Sequence, residues 1–425
     1  MSIEDLYNLY LKCSGISTDS RFIRKDELFF SLKGPNFNGN KYAQKAVESG
    51  AKYAVVDEKE FAIDKRYILV KNCLESLQEI SNYHRNKLKV KVIGITGSNG
   101  KTTSKELINS VLKTNFKTIY THGNLNNHIG VPLTLLKIRS ETEIAIIEMG
   151  ANHIGEIALL SRISNPDFGY ITNFGKAHLE GFGDEQGVMK GKKELYDQIK
   201  RKKGLIFQNS DDEKQIKCIG NYQNIYSFGK SKGDIKYLVK SVNPEIKIKV
   251  NETLIHSSLF GNHNVENIMA AVAIGKYFKI DIEKIKTGIE AYIPSNNRSQ
   301  IISIGSNKIM LDAYNANPSS MYAAIKFFEE FSEKNKILIL GDMFELGKDS
   351  NTYHQEIAEY CRNIKNTKIF LVGELFCNTT RFKEFNYSLN IENLISKGDL
   401  SKIKNSYLFI KGSRGIKLEK VIDNI

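Results

Sequence analysis

A lysine and two threonines stand directly behind a glycine in the run VIGITGSNGKTT, Val92 to Thr103. That grouping is what a chain needs to hold a polyphosphate. Gly97 and Gly100 free the backbone to wrap an anion, so that the amides of the turn, with Ser98 and Asn99 at its tip, point at one phosphate. The helix that follows adds its partial positive charge. Lys101 would reach the outer phosphates and the Thr102 hydroxyl would hold Mg2+, with Thr103 next to it. The general pattern G-x-x-x-x-G-K-[ST] asks for glycine at position 95, where this chain has Ile95. An ordinary glycine-rich turn is the alternative, but strand, glycines, GKTT and helix together favour a nucleotide.

Such a turn works with carboxylates at neighbouring strand tips. Glu148 ends the apolar run IAIIEMG, where an acidic Mg2+ ligand would sit; a capping or solvated glutamate is the other reading. His178 lies in the glycine-bracketed stretch NFGKAHLEGFG behind another apolar run, and a surface or core histidine is its alternative. Lys190, Lys192 and Lys193 in VMKGKKELY read, on chemistry alone, as a solvated helix face. Asn264 and Asn267 could simply cap a helix, and Arg298 could be a surface residue of a linker.

These residues need elements to position them. Val90, Val92, Ile93 and Ile95 predict a buried strand, and Leu107, Ile108, Val111 and Leu112 recur at helical spacing. Further strands are expected at Ile144–Gly150, Phe168–Gly175 and Gly204–Asn209, and a helix from about Val265 to Phe278. Strands alternating with helices imply a mainly parallel, three-layer α/β sheet. Ahead of it, residues 1–86 form a small unit containing FFSLKG, AKYAVVDE and the helical spacing of YAQKAVESGA, and the polar stretch Asn82 to Lys91 reads as its link. IPSNNRS, Ile293–Ser299, reads as a second linker. Beyond it KILILGD, KIFLVGE and SYLFIKGS are apolar strands ending in glycine and a polar residue, which places functional tips at Asp342, Glu374 and Ser413.

A chain of 425 residues with 41% hydrophobic residues and a mean hydropathy of −0.33 can bury several cores. It contains no run long enough for a transmembrane helix, and its first residues lack the basic and apolar regions of a signal peptide. Five scattered cysteines argue against a disulfide framework and for a reducing cytosol. The net charge of +13 comes from lysines spread over the whole chain without a nucleic-acid-binding signature.

Taken together the motifs resemble the Mur ligase family, and most closely its branch that attaches D-alanyl-D-alanine to a UDP-muramoyl tripeptide. The carriers are STDSR (Ser17–Arg21), GITGSNGKTT, GNLNNHIGVP (Gly123–Pro132), EMGANHIGEI (Glu148–Ile157), AHLEGFG (Ala177–Gly183), GNHNVEN, NNRS, LDAYNANPSSM (Leu311–Met321), LGDMFELG (Leu340–Gly347) and KGSRG. The family tolerates a residue other than glycine where Ile95 sits. The resemblance implies three α/β domains: a small UDP-sugar-binding domain (1–86), a central P-loop, mainly parallel ATPase domain (87–297) and a C-terminal Rossmann-like ligase domain (298–425). It also implies an ATP-dependent amide ligase of peptidoglycan precursor synthesis, working through an acyl phosphate. The enzyme would be cytoplasmic and monomeric, with UDP-MurNAc-tripeptide and D-Ala-D-Ala as substrates and no nucleic-acid or membrane partner.

By the same resemblance Gly97 through Thr103 bind ATP, and Lys101, Glu148, His178, Lys192 and Arg298 serve catalysis. Two Mg2+ ions are implied, the first on Thr102 and Glu148, the second on Glu148 and His178 supported by a carbamylated lysine. That lysine is Lys192, with Lys190 and Lys193 as neighbouring alternatives. His263 and Asn264 resemble adenine contacts, and Arg298 and Asp312 γ-phosphate and ribose contacts. Ser17, Asp19, Arg21, Asn124, Asn126 and Asn127 look like UDP-muramoyl contacts, and Asn315, Asn317, Asp342 and Arg414 face the incoming amine. DAYNANP stands where the branch adding the third residue has a DNPR-type motif, and a folate polyglutamate ligase would lack STDSR and GNLNNHIGVP. A nucleotide-gated binding protein without ligase activity is the alternative from another class.

Overall fold

In the computed structural model, which describes residues 1–397 and 400–425, the apolar runs become the strands of three main sheets, one per domain, and two smaller antiparallel sheets accompany them among the described residues. Among the described residues the central sheet has seven strands in the spatial order Ile235–Lys236, Ile225–Gly229, Leu205–Asn209, Phe168–Ile171, Lys91–Thr96, Ile144–Glu148 and Thr118–Tyr120. Every neighbouring pair is parallel. A parallel sheet covered on both faces needs strands that are apolar throughout. Ile93, Ile95, Ile146, Tyr170 and Phe207 accordingly pack to one side, against helices Lys101–Leu112, Asn262–Tyr277 and Ile282–Glu290. Val92, Ala145, Ile147, Ile171 and Ile206 pack to the other, against Gly130–Leu135, Glu156–Ser164 and Glu185–Arg201. Ile95 is fully buried in this core. Position 95 is therefore a strand residue, and the turn begins only at Gly97.

The helix expected from Val265 starts at Asn262, behind Gly261 at φ 82°. A three-stranded antiparallel sheet, Leu238–Ser241, Ile246–Val250 and Thr253–Ser257, was not anticipated. Its signal is present in IKIKV, whose isoleucines are buried while Lys247 is exposed, a period of two.

The N-terminal domain is a four-stranded parallel sheet in the order Ile16–Ser17, Leu28–Phe30, Tyr53–Val56, Tyr67–Leu69. The stretch Asn82–Lys91 is not a link as expected, because helix Cys73–Lys87 runs through its first half. Leu77, Ile80, Ser81, His84 and Arg85 bury one face of that helix at helical spacing. Its polar residues are satisfied by the central domain: Asn82 donates to the carbonyls of Arg162 and Ile163, and Arg85 pairs with Asp167 at 2.7 Å. The boundary expected at 86/87 thus falls inside the last turn of a helix.

The C-terminal sheet runs Gln300–Ile304, Asn307–Asp312, Tyr407–Lys411, Lys336–Gly341, Thr367–Val372, Asn386–Ser388. Its first pair is an antiparallel hairpin and the rest are parallel. Residues 291–299, which include the stretch Ile293–Ser299 read as a linker, run from helix Ile282–Glu290 to strand Gln300–Ile304. Among the described residues no helix is long and apolar enough to cross a membrane, and all five cysteines are free thiols.

Candidate active site

The strand Lys91–Thr96 lies between Phe168–Ile171 and Ile144–Glu148, and all three point their carboxyl ends the same way. That edge of an open α/β sheet is where ligands bind. The register pairs Ile95 with Glu148 and Thr96 with Ile171, so Glu148 stands beside the start of the glycine turn and the segment leading to His178 leaves from its other side. Two close approaches require glycine in the turn. A Cβ on Gly97, at φ 144°, would lie 1.9 Å from Thr172 Oγ1, and one on Gly100, at φ 79°, 2.5 Å from Asn267 Oδ1. Asn173 anchors the tip from the next strand, its Oδ1 accepting from the Asn99 amide (3.1 Å) and its Nδ2 donating to the Asn99 carbonyl (3.0 Å).

Helix Lys101–Leu112 begins here, with Gly100 as its N-cap. Lys101 Nζ donates to the carbonyls of Gly97 (2.6 Å) and Ser98 (3.2 Å). Burial pulls its ammonium down to about 8, Glu148 opposing and Arg298 assisting. Thr102 Oγ1 donates to Glu148 Oε1 at 3.3 Å, and Asn126 Nδ2 donates to the same oxygen at 2.8 Å. Glu148 is 1% exposed, and its other oxygen, Oε2, takes no hydrogen bond. The fully buried Lys105 Nζ, 3.4 Å from that oxygen, makes none either.

Among the described residues no group of three or more His, Cys, Asp and Glu side chains gathers as a metal cage. Mg2+ uses one or two protein oxygens and completes its shell with phosphate and water. The Thr102 hydroxyl and the Glu148 carboxylate with its unbonded oxygen supply such a pair. His178 meets a carboxylate of the other domain. With its backbone in the left-handed region at φ 53°, its Nδ1 lies 2.5 Å from Oε2 of Glu345, a C-terminal-domain residue missed in the sequence. Lys192 is fully buried, donates to the Ala151 carbonyl at 3.2 Å and lies over the Phe182 ring. Burial, with Lys101 adding to it, pulls Lys192 well below the ordinary lysine range. Lys190 is exposed and Lys193 pairs with Asp197 at 2.7 Å.

The cleft of about 1300 Å3 lies between the central and C-terminal domains. Its walls bring together Ser98 to Thr103, Asn124, Asn126, Asn127, Glu148, His178, His263, Asn264, Arg298, Asp312, Asn315 and Arg414. Some have their polar atoms committed elsewhere. Asn264 Nδ2 donates to the Phe260 carbonyl and to Ser299 Oγ, and its oxygen accepts from Asn267. Asn127 Oδ1 accepts the amides of Ile129 and Gly130. Asp312 Oδ2 is 2.5 Å from Lys411 Nζ; burial pushes this carboxyl up, but Lys411 outweighs it and holds the group below its ordinary value. Arg298 lies 3.6 Å over the ring of Tyr314, and Arg414 approaches the same ring at 5.1 Å. Tyr314 and Asn173 also line the cleft and were not singled out in the sequence.

Four expected contacts with the incoming amine divide. Asn315 and Arg414 face the cleft, whereas Asn317 caps helix Pro318–Glu329 and donates to Asn99 Oδ1 at 2.7 Å. Asp342 does not face it: its carboxylate accepts the amides of Leu375 and Phe376 at the start of helix Glu374–Cys377. Three residues beyond that strand tip, Glu345 does line the cleft. Ser17, Asp19 and Arg21 are not among the residues lining this cleft; Arg21 and Asp19 pair with each other on the N-terminal domain.

Three family models match in succession: "Mur ligase family, catalytic domain" over residues 12–93, "Mur ligase middle domain" over 95–275 and "Mur ligase, glutamate ligase domain" over 297–385. The UDP-N-acetylmuramoyl-tripeptide–D-alanyl-D-alanine ligase of Bacillus subtilis (strain 168) is 35% identical, the match covering 97% of this chain and 93% of that one. The enzyme of the same name from Rickettsia prowazekii (strain Madrid E) is 33% identical over 97% and 95%. The crystal structure of MurF from Acinetobacter baumannii superposes with a TM-score of 0.89 at 27% identity, covering 99% of this chain and 98% of that one.

Proposed function

The chain belongs to the Mur ligase family, and from that premise we propose that it joins D-alanyl-D-alanine to UDP-N-acetylmuramoyl-tripeptide, converting ATP to ADP and phosphate. The observation that carries the reading is one of placement. The phosphate-type turn, the Thr102–Glu148 pair and the strand-tip loops of a second α/β domain all open on one cleft. An activated carboxylate and an incoming amine can therefore be held side by side, which is most of what amide formation asks of a protein.

The tripeptide carboxylate attacks the γ-phosphorus of ATP, the bond to the bridging oxygen breaks, and ADP leaves an acyl phosphate. The dipeptide amine then attacks the acyl carbon; the new C–N bond forms, the nitrogen gives up a proton to the departing phosphate, and the C–O bond to phosphate breaks as the tetrahedral intermediate collapses. Lys101 neutralises the transferring phosphoryl group and the turn amides hold the phosphate chain. Thr102 and Glu148 would hold Mg2+, which when bound withdraws charge from the phosphate oxygens. Lys105 stands behind the second oxygen of Glu148 and helps to fix it. Arg298, stacked on Tyr314, reaches the cleft from the interdomain linker. Lys192 is the residue suited to become a carbamate, because burial favours its neutral amine, the nucleophile that CO2 requires. All these groups come from one chain, so a monomer suffices, and the reaction belongs where ATP and nucleotide-linked precursors are found, in the cytoplasm.

Phosphate release is expected to require ATP, UDP-MurNAc-tripeptide and D-Ala-D-Ala together. Equal turnover with a single free amino acid in place of the dipeptide would sink the acceptor assignment and favour a sibling ligase of the family.

A further inference from the structure

The loop after strand Lys336–Gly341 places an unassigned carboxylate at the reacting end of the cleft. Asp342 at its base is turned inward, and His354 holds the next residue, accepting the Met343 amide on Nε2 at 2.9 Å. Phe344 and Glu345 are left facing the cleft. Glu345 Oε2 lies 2.5 Å from His178 Nδ1 across the domain boundary, while its side chain stays 51% exposed. Lys101 is among the charges acting on it, so the carboxylate stands in the field of the phosphate-binding lysine. The loop carrying Arg414 is fastened alongside: the Phe344 amide donates to Ser413 Oγ at 3.1 Å, and a Cβ on Gly415 would come within 2.6 Å of the Phe344 ring.

A free dipeptide is a zwitterion whose ends lie about 7 Å apart when extended. A site that delivers its amine needs an anion at the reacting end and a cation beyond it. Most other carboxylates of the cleft are engaged or stand elsewhere along it, Glu213 among the latter in the first turn of helix Glu213–Ile219 beside Asp212. Glu148 is buried against Thr102, Asn126 and Lys105, Asp312 is paired with Lys411, Glu156 accepts the amides of Asn152 and His153, and Asp212 caps helix Glu213–Ile219. Asp211 and Glu266 stand with Asp212 near the tip of Leu205–Asn209, on the side of the sheet away from Glu148. Glu345, which meets His178, keeps half of its side chain exposed and shares the cleft with Lys101.

We propose that Glu345 receives the ammonium group of the incoming dipeptide and Arg414 its carboxylate, so that the amino nitrogen is presented beside Lys101 and His178. The proposal rests on the ligase reading above and adds to it the residue that seats the acceptor. It gives the C-terminal domain a chemical role, because the two neighbouring loops that carry Glu345 and Arg414 both belong to it.

The test compares two nucleophiles, D-Ala-D-Ala and hydroxylamine, which is uncharged at neutral pH and brings no ammonium. With UDP-MurNAc-tripeptide and ATP, ADP formation is measured for the wild-type chain, Glu345→Gln and Glu345→Asp. In Glu345→Gln the ratio of kcat/KM for the dipeptide to that for hydroxylamine should fall about 10- to 100-fold, the range of one charge-assisted hydrogen bond, chiefly through KM for the dipeptide. Glu345→Asp should recover part of it. Equal losses with both nucleophiles, or no loss with the dipeptide, overturn the role of Glu345 alone. Wild-type turnover with hydroxylamine but not with the dipeptide overturns the acceptor assignment itself, and this proposal with it.

Discussion

Lys190, Lys192 and Lys193 fall within one turn of helix Glu185–Arg201, and burial separates them completely. Lys190 reaches solvent, Lys193 forms an i,i+4 pair with Asp197, and Lys192 is closed over by Ala151 and Phe182. Gly191 helps make that room, since a Cβ there would press within 2.5 Å of the Phe182 ring. Burial that lowers the lysine's proton affinity favours the neutral amine, whose nitrogen can bond to CO2 with release of a proton. Lys192→Ala is expected to lose about 10- to 100-fold in activity, as support residues of metal sites do, and to regain part of it with added acetate. The wild-type chain in 13C-bicarbonate should show a carbamate resonance that the variant lacks. Absence of both rescue and resonance would remove Lys192 from the site.

At the scale of elements, helix Cys73–Lys87 bolts the first domain to the second. His84, 4% exposed, accepts the Tyr7 hydroxyl on Nδ1 (3.1 Å), which leaves Nε2 to donate to the Ile138 carbonyl (2.9 Å). The seam therefore needs the neutral ring, and burial lowers its proton affinity below the ordinary 6.5. Above that pH folded and unfolded chains both carry neutral imidazole, and the contribution is intact. As pH falls below it the unfolded chain takes up the proton first, so stability drops. Melting temperature between about pH 7 and about pH 5 should fall more steeply for the wild-type chain than for His84→Gln; identical slopes would show that His84 does not gate the seam. The sequence held the helical spacing for this element but masked it with polar residues, because Asn82 and Arg85 find their partners on another domain.

At the scale of the molecule, the C-terminal domain is held down on the central one. Asn317 reaches Asn99, the Lys176 amide donates to Ser319 Oγ at 3.0 Å, and His178 meets Glu345. Phe260, from the central part of the chain, is 1% exposed inside the C-terminal core, stacked on Phe327 at 5.5 Å and set edge-on to Phe409 at 5.9 Å. Phe260→Ala should cost about 3–5 kcal/mol and uncouple the domains, giving a two-stage melt and faster proteolysis within residues 291–299. A single transition with unchanged cleavage would show that the polar contacts suffice to dock them.

The residues of the glycine turn, Glu148 at its strand tip and the three α/β units could be read from the chain itself. Each depends on local chemistry: glycine where the backbone turns back on itself, continuous apolar runs where strands are covered on both faces, and a carboxylate where such a run stops. Register and burial were decided only in three dimensions. Pairing Ile95 with Glu148 brings the carboxylate to Thr102. Enclosure singles out Lys192 among its neighbours, and the helix amides of Leu375 and Phe376 draw Asp342 inward so that Glu345 faces His178. Those choices follow from contacts between segments far apart in the chain, whose energies no local pattern contains.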